Sequence, residues 1–200
     1  MSVEATVPCR YEDGATMPRV PGEPGVWVLI LGDMVVFAIL FATYLFYRGQ
    51  EPGTFASAQR ALSPAVGVVM TLLLLTASLL VVIGVRAVGN GNTSTPPRAF
   101  LAAAGLGAAF AGLKFFDYHE RVVHGETPST NHFFQYYFIL TGIHLFHLVI
   151  GVGVLGVLAR LSAKQPVSAH QFAFVEGAAC YWHMVDMLWI VLFPLLYFLR

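Results

Sequence analysis

Residues 64–88 read PAVGVVMTLLLLTASLLVVIGVRAV, an apolar run whose only charge is Arg86. A helix needs roughly 20 residues to cross the hydrocarbon core of a bilayer, since each residue rises about 1.5 Å. This run is long enough, and with Met70-Thr-Leu-Leu-Leu-Leu at its centre it is the cleanest span in the chain. Four other segments pass the same test. The first runs from Val26 to Tyr47 and contains Asp33. The third starts near Arg98, is rich in Ala and Gly, and turns polar at Lys114, Asp117 and Glu120. The fourth runs from His132 to Ala159 and the fifth from Phe172 to Leu199. The connections carry Pro, Gly, Asn and Ser, as in Gly89-Asn-Gly-Asn-Thr-Ser-Thr-Pro-Pro97, which is turn chemistry. Only 11% of the residues are charged and 57% are hydrophobic, against about 25% charged in a soluble domain. The sequence therefore predicts an all-α, polytopic membrane protein with five transmembrane helices.

Residues 1–25 hold acids, arginines, prolines and glycines with no apolar centre. They read as a flexible polar tail rather than a signal peptide, and residues 26–200 as the membrane domain. The formal net charge is zero, so no basic surface points to nucleic acid. Cys9 lies in the tail and Cys180 in an apolar run, with no CxxC. Neither a disulfide framework nor a thiolate metal site follows. Orientation comes from Lys and Arg in the flanks. Arg10, Arg19, Arg86, Arg98, Arg160 and Lys164 lie on the side of the N-terminus, and Arg48, Arg60, Arg121 and Arg200 on the other. This bias predicts a cytoplasmic N-terminus and, with an odd number of spans, a C-terminus outside.

The last two spans carry ionisable groups where lipid tails should be. One reads Thr141-Gly-Ile-His144-Leu-Phe-His147, the other Glu176-Gly-Ala-Ala-Cys-Tyr-Trp-His183-Met-Val-Asp186. Burying such groups at membrane depth costs several kcal/mol each, so they need a reason to be there. With ~100° per residue, His183 falls ~20° and Asp186 ~80° from Glu176 on the helix wheel. All three share one face, and the natural partners are the histidines of the preceding span. The main reading is an interhelical polar core of His144, His147, Glu176, His183 and Asp186, since polar residues hold membrane helices together. The sharper alternative is a metal site that uses the same donors. A proton relay or lipid-headgroup site is the third reading.

Asp33 has no basic residue within one turn. It must find a partner on another helix, accept a proton, or face water or a headgroup. Lys114, Asp117 and Arg121 stand at i, i+3 and i+7 with Tyr118 alongside. Near the end of a span they read as helix-surface pairs whose long side chains anchor at the interface. Gly151-Val-Gly-Val-Leu-Gly156 matches GxGxxG, but follows no strand, so a close-packing helix face is predicted instead of a dinucleotide site.

Together these residues resemble subunit III of the haem–copper oxidase superfamily. The marks are Trp27-x5-Asp33, Asp117-Tyr118 with His124-Gly125, Thr141-Gly-x-His144-x-x-His147-x-x-x-Gly151, and Tyr181-Trp182-His183-x-Val185-Asp186-x-x-Trp189. The resemblance covers nearly everything after the tail. It implies a helical bundle that packs against the catalytic subunit I, in company with subunit II and membrane lipids. It implies no redox centre, metal or catalytic residue in this chain, with haem and copper held by partner subunits and phospholipid ordered on the bundle. It also implies support of aerobic electron transport and of proton uptake by the core, in the bacterial inner (plasma) membrane. Asp33 falls where the family has a carbodiimide-reactive glutamate, which makes it the candidate proton- or lipid-linked carboxylate. The larger members have seven spans, and this chain reads as the form that lacks the first two. Gly32-Asp33 in place of Ser-Glu, and Asp117 in place of Glu, look like the subgroup associated with nitric oxide reductases. An accessory protein of such a reductase is therefore one alternative. A free-standing membrane metalloenzyme that uses the His/Glu/Asp cluster is the other.

Overall fold

The structure, a computed structural model, describes residues 24–164 and 167–199. The tail expected over residues 1–25 therefore lies, apart from Pro24 and Gly25, outside the described residues. Six helices follow in order: α1 (Pro24–Gln50), α2 (Pro52–Gln59), α3 (Pro64–Gly89), α4 (Thr95–Val123), α5 (His132–Ser162) and α6 (Ala169–Tyr197). Five of them are long and apolar enough to cross a membrane, and they match the five spans expected. The short α2 was not anticipated; Pro52 at its first position starts a helix without loss of a hydrogen bond.

The boundaries follow from local chemistry. Pro64 opens α3, and Pro96 and Pro97 sit in the first turn of α4. The Asn131 side chain accepts a hydrogen bond from the Phe134 amide at 2.9 Å and caps α5. Ser168 and Gln171 exchange backbone and side-chain bonds at the start of α6 in a capping box. After α3 and α4 the chain turns through Gly91 and Gly125 at φ +68° and +78°, the left-handed region that costs glycine little. There the Asn92 amide reaches back to the Ala87 carbonyl, and the Glu126 amide to that of Arg121, both at 2.9 Å.

Helices α3, α4, α5 and α6 form the packed body, and α1 rides on its flank against α5 and α6. Most of α1 faces outward, with Val28, Leu31 and Ile39 all exposed, while Phe37 and Tyr44 point in. Two glycines of the body make a close approach to one indole ring. A side chain at Gly107 on α4 or Gly151 on α5 would run into the Trp182 ring of α6, at 2.8 and 2.9 Å from its Cβ. Trp182 is fully buried in the notch they form. The close-packing face expected over Gly151–Gly156 is thus correct for Gly151 alone. Gly153 and Gly156 look onto open space, because they stand about 200° and about 140° from Gly151 on the helix.

This difference gives a paired test. Gly151→Ala drives a methyl into the Trp182 ring and should destabilise the chain by about 1–3 kcal/mol, the usual range for overpacking. Gly153→Ala should be neutral or stabilising, since helix propensity favours Ala. Thermal unfolding in detergent micelles separates the two.

Candidate functional site

Asp33 does find its partner on another helix. Its Oδ2 lies 3.3 Å from His147 Nε2, joining the first third of α1 to the middle of α5. The other ring nitrogen, Nδ1, is 2.8 Å from the Ile143 carbonyl on the same helix. A carbonyl only accepts, so Nδ1 carries hydrogen. Nε2 is therefore the nitrogen that faces the carboxylate. The pair is half-buried: 22% of the Asp33 side chain and 14% of the His147 side chain are exposed. Tyr181 of α6 donates to the His147 carbonyl at 3.1 Å, and the Phe37 ring packs edge-on against the imidazole. The site is therefore built from α1, α5 and α6 together.

The remaining members of the expected polar core separate. His144 is fully buried between Phe110 and Trp189, and its Nε2 donates to the Val185 carbonyl at 3.2 Å. This bond crosses from α5 to the backbone of α6 rather than to one of its acids. His147 turns away to α1. His183 bonds Ser78 of α3 through Nδ1 at 2.7 Å, and Glu176 lines the groove between α6 and α3. Asp186 is buried 3.8 Å from His183. The expectation that the histidines of the fourth span and the acids of the fifth face one another is corrected accordingly. A helix wheel gives angles within one helix but not the neighbour each angle meets, and α6 packs against α3 as well as α5. Among the described residues no three His, Cys, Asp or Glu side chains converge as a metal ion would require.

The second correction concerns α4. The expected pairs of Asp117 with Lys114 and with Arg121 form, but not on the helix surface: all three side chains are buried. Lys114 Nζ donates to Asp117 Oδ2 at 2.9 Å and to the Tyr137 hydroxyl at 2.6 Å. Tyr137 in turn donates to the same carboxylate oxygen. Arg121 bonds Asp117 Oδ1 at 3.4 Å, Glu126 at 3.0 Å and the Ala61 carbonyl just beyond α2 at 2.6 Å. The ammonium also lies over the Tyr137 ring, 4.4 Å from its centre. Each charge has an opposite charge in reach, which is the condition for burying any of them. Beside this network Thr141 donates to the Tyr137 carbonyl at 2.5 Å, so Tyr118 donates to Thr141 at 2.6 Å. Sequence reasoning missed Tyr137 and Ser78. Tyr137 carries a signal, since it stands one turn before Thr141 on the same face; Ser78 carries none beyond being polar inside an apolar run.

With this geometry established, relatives can be compared. A family model described as cytochrome c oxidase subunit III matches residues 22–200. Cytochrome c oxidase subunit 3 of Bacillus sp. (strain PS3) is 30% identical over 192 residues, 96% of this chain and 92% of that protein. The protein of the same name from Thermostichus vulcanus is 30% identical over 176 residues, covering 88% of this chain and 86% of that one. That of Corynebacterium diphtheriae is 31% identical over 179 residues, 88% and 87% of the two chains. The chain belongs to the cytochrome c oxidase subunit III family.

The buried network makes a quantitative demand. Lys114→Met leaves the Tyr137 hydroxyl and the Asp117 carboxylate without their cation, and should cost about 3 kcal/mol of stability, the low end for breaking a buried pair because Arg121 remains. Glu120→Gln, at an exposed position of the same helix, should stay within about 0.5 kcal/mol. Unfolding in detergent measures both.

Proposed function

We propose that this chain is the non-catalytic third subunit of a haem–copper terminal oxidase and keeps its catalytic partner competent for sustained turnover. The family match over residues 22–200 carries this reading. Membership makes the chain an accessory subunit of a haem–copper oxidase complex, embedded as a multi-pass membrane protein. The finer assignments are proposals. The immediate partner is subunit I, with subunit II in the same assembly; haem and copper belong to those partners. The membrane is a bacterial inner membrane, with the N-terminus on the cytoplasmic side.

Geometry supports an accessory role. Most of the signature polar groups are tied to a neighbouring helix: Asp33 to His147, His144 to α6, His183 to α3, Asp117 to Lys114 and Tyr137. The metalloenzyme alternative needs these donors at one point, and they face three different neighbours. The nitric oxide reductase alternative rests on Asp33 and Asp117 standing in place of Glu, while the three relatives quoted above all carry the oxidase name.

Asp33 is the proposed proton- or lipid-linked carboxylate. Its Oδ2 faces His147 Nε2 at 3.3 Å, within reach for proton exchange between the two. Two apolar grooves flank the pair along α1. One is lined by Val26, Leu29, Ile150, Val154, Phe174 and Tyr181, the other by Met34, Phe37, Phe41, Met187, Ile190 and Val191. Both suit phospholipid acyl chains.

Purification in mild detergent tests the assignment. The chain should bring along a haem-containing catalytic subunit with an oxidase spectrum. Recovery of the chain alone, or with a nitric oxide reductase, would sink the reading. Asp33→Asn should leave that co-purification intact and shorten the period of active turnover several-fold in oxygen-electrode traces. A turnover lifetime equal to that of the native complex removes Asp33 from the proposal.

A further inference from the structure

We propose that Glu51 and His132 form a proton-operated strap, which fastens the elbow between α1 and α2 to the start of α5 and loosens as the pH rises. The strap goes beyond the accessory-subunit reading and does not depend on it. The elbow is a single residue, between the end of α1 at Gln50 and the start of α2 at Pro52. The Glu51 amide donates to the Tyr47 carbonyl at 3.0 Å, and its carbonyl accepts from the Phe55 amide at 3.2 Å. Its backbone leaves the helical region there, at φ −126° and ψ 55°. Glu51 stands at the N-cap of α2, yet its side chain makes no capping bond. The side chain reaches across to α5 instead, where Oε1 lies 3.0 Å from His132 Nδ1.

Water reaches this pair. Of the His132 side chain 45% is exposed, and of the Glu51 side chain 41%. Beside them runs an open polar groove lined by Ser129, Asn131 and Gln135. On the inner side the Tyr47 ring lies 5.0 Å from the imidazole and 5.4 Å from the Tyr136 ring, which holds the imidazole plane without adding charge. The other charged groups nearby are few. Arg48 stands one turn before Glu51 on α1, and α2 carries no ionisable residue. In the loop before α5, Glu126 is taken by Arg121 at 3.0 Å. Among the described residues Glu51 has no ion pair other than the one with His132.

Histidine is the side chain whose charge changes between pH 5 and 8. With the ring protonated both nitrogens carry hydrogen, and Nδ1 gives the carboxylate a charge-assisted bond. When the ring loses its proton the positive charge goes. One of the two neutral tautomers then turns a bare nitrogen on the carboxylate, acceptor against acceptor. The contact is therefore strongest at the acid end of that window and weakens as the pH rises through it. An exposed pair shifts an equilibrium by a few-fold, which suits tuning rather than locking. Its leverage comes from position. The elbow joins α1, which rides on the flank of the body, to α2, whose Gln59 donates to the Leu196 carbonyl of α6 at 3.1 Å. Loosening the strap frees the end of α1 while α2 stays pinned. In the orientation proposed above the elbow lies on the outer side, so the strap responds to the pH of that compartment.

Hydrogen exchange of the full chain in detergent, read by mass spectrometry at pH 6, 7 and 8 and corrected for the intrinsic rate at each pH, tests the strap. The amides of Glu51, Gly53, Thr54 and Phe55 should be about two- to fivefold better protected at pH 6 than at pH 8. Glu51→Gln keeps the shape and removes the carboxylate charge, and should bring protection at pH 6 down to the pH 8 level. His132→Gln should do the same from the other side of the pair. His124→Gln alters an exposed histidine at the same end of the bundle, bonded within its own helix, and should keep the native ratio. Equal protection of the native chain at pH 6 and pH 8 overturns the proposal. So does a ratio that survives Glu51→Gln or His132→Gln, and so does one lost equally in His124→Gln. None of these outcomes bears on co-purification with a catalytic subunit, so failure of the strap leaves the accessory reading standing.

Discussion

A bilayer core offers no hydrogen-bond partners, and that constraint organises this molecule. Backbone groups are satisfied by making every span a helix. Side chains are harder, because each polar atom needs a partner on the same helix or on one packed against it. The network of Lys114, Asp117, Tyr137 and Arg121 is the fullest response. It holds two cations and an acid out of solvent, and it ties α4 to α5 and to the segment after α2. Replacing such a network by apolar residues can be neutral, whereas removing one member is not. Its contribution is therefore better described as fixing which helices meet than as raw stability.

Close packing does the complementary work. Gly107 and Gly151 let the indole of Trp182 lie flush between α4 and α5. That contact sets the rotation of α6, and the rotation decides the rest. With Trp182 turned inward, Tyr181 reaches His147, His183 turns toward α3 and Trp189 donates to Thr71. The histidine and acid signatures of the last two spans are thus read out by one aromatic wedge.

The functional picture follows from where the polar groups stand. Asp33 and His147 face one another at the edge of the body, beside apolar grooves along the loosely packed α1. His183 and Glu176 face the opposite flank of α6, toward α3. One flank of α6 is lined by apolar side chains and the other carries ionisable groups, so a single span has two chemically different sides.

By itself the sequence determined the fold class and the five spans, since apolar length and turn composition act locally and the bilayer thickness is fixed. It also determined that Asp33, His144, His147, His183, Asp117 and Asp186 are exceptional, because an ionisable group in an apolar run is visible without any structure. Which of them meet was decided only in three dimensions. The wheel of α6 placed Glu176, His183 and Asp186 on one face but could not say that α3 covers it. Spacing along α4 made Lys114 and Arg121 look like interfacial anchors, though α5 supplies the tyrosine that allows them to be buried. The physical reason is the same in each case. Helical periodicity is a property of one segment, whereas a hydrogen bond or an ion pair needs a second segment, and its position comes from packing shape rather than from the pattern of either one.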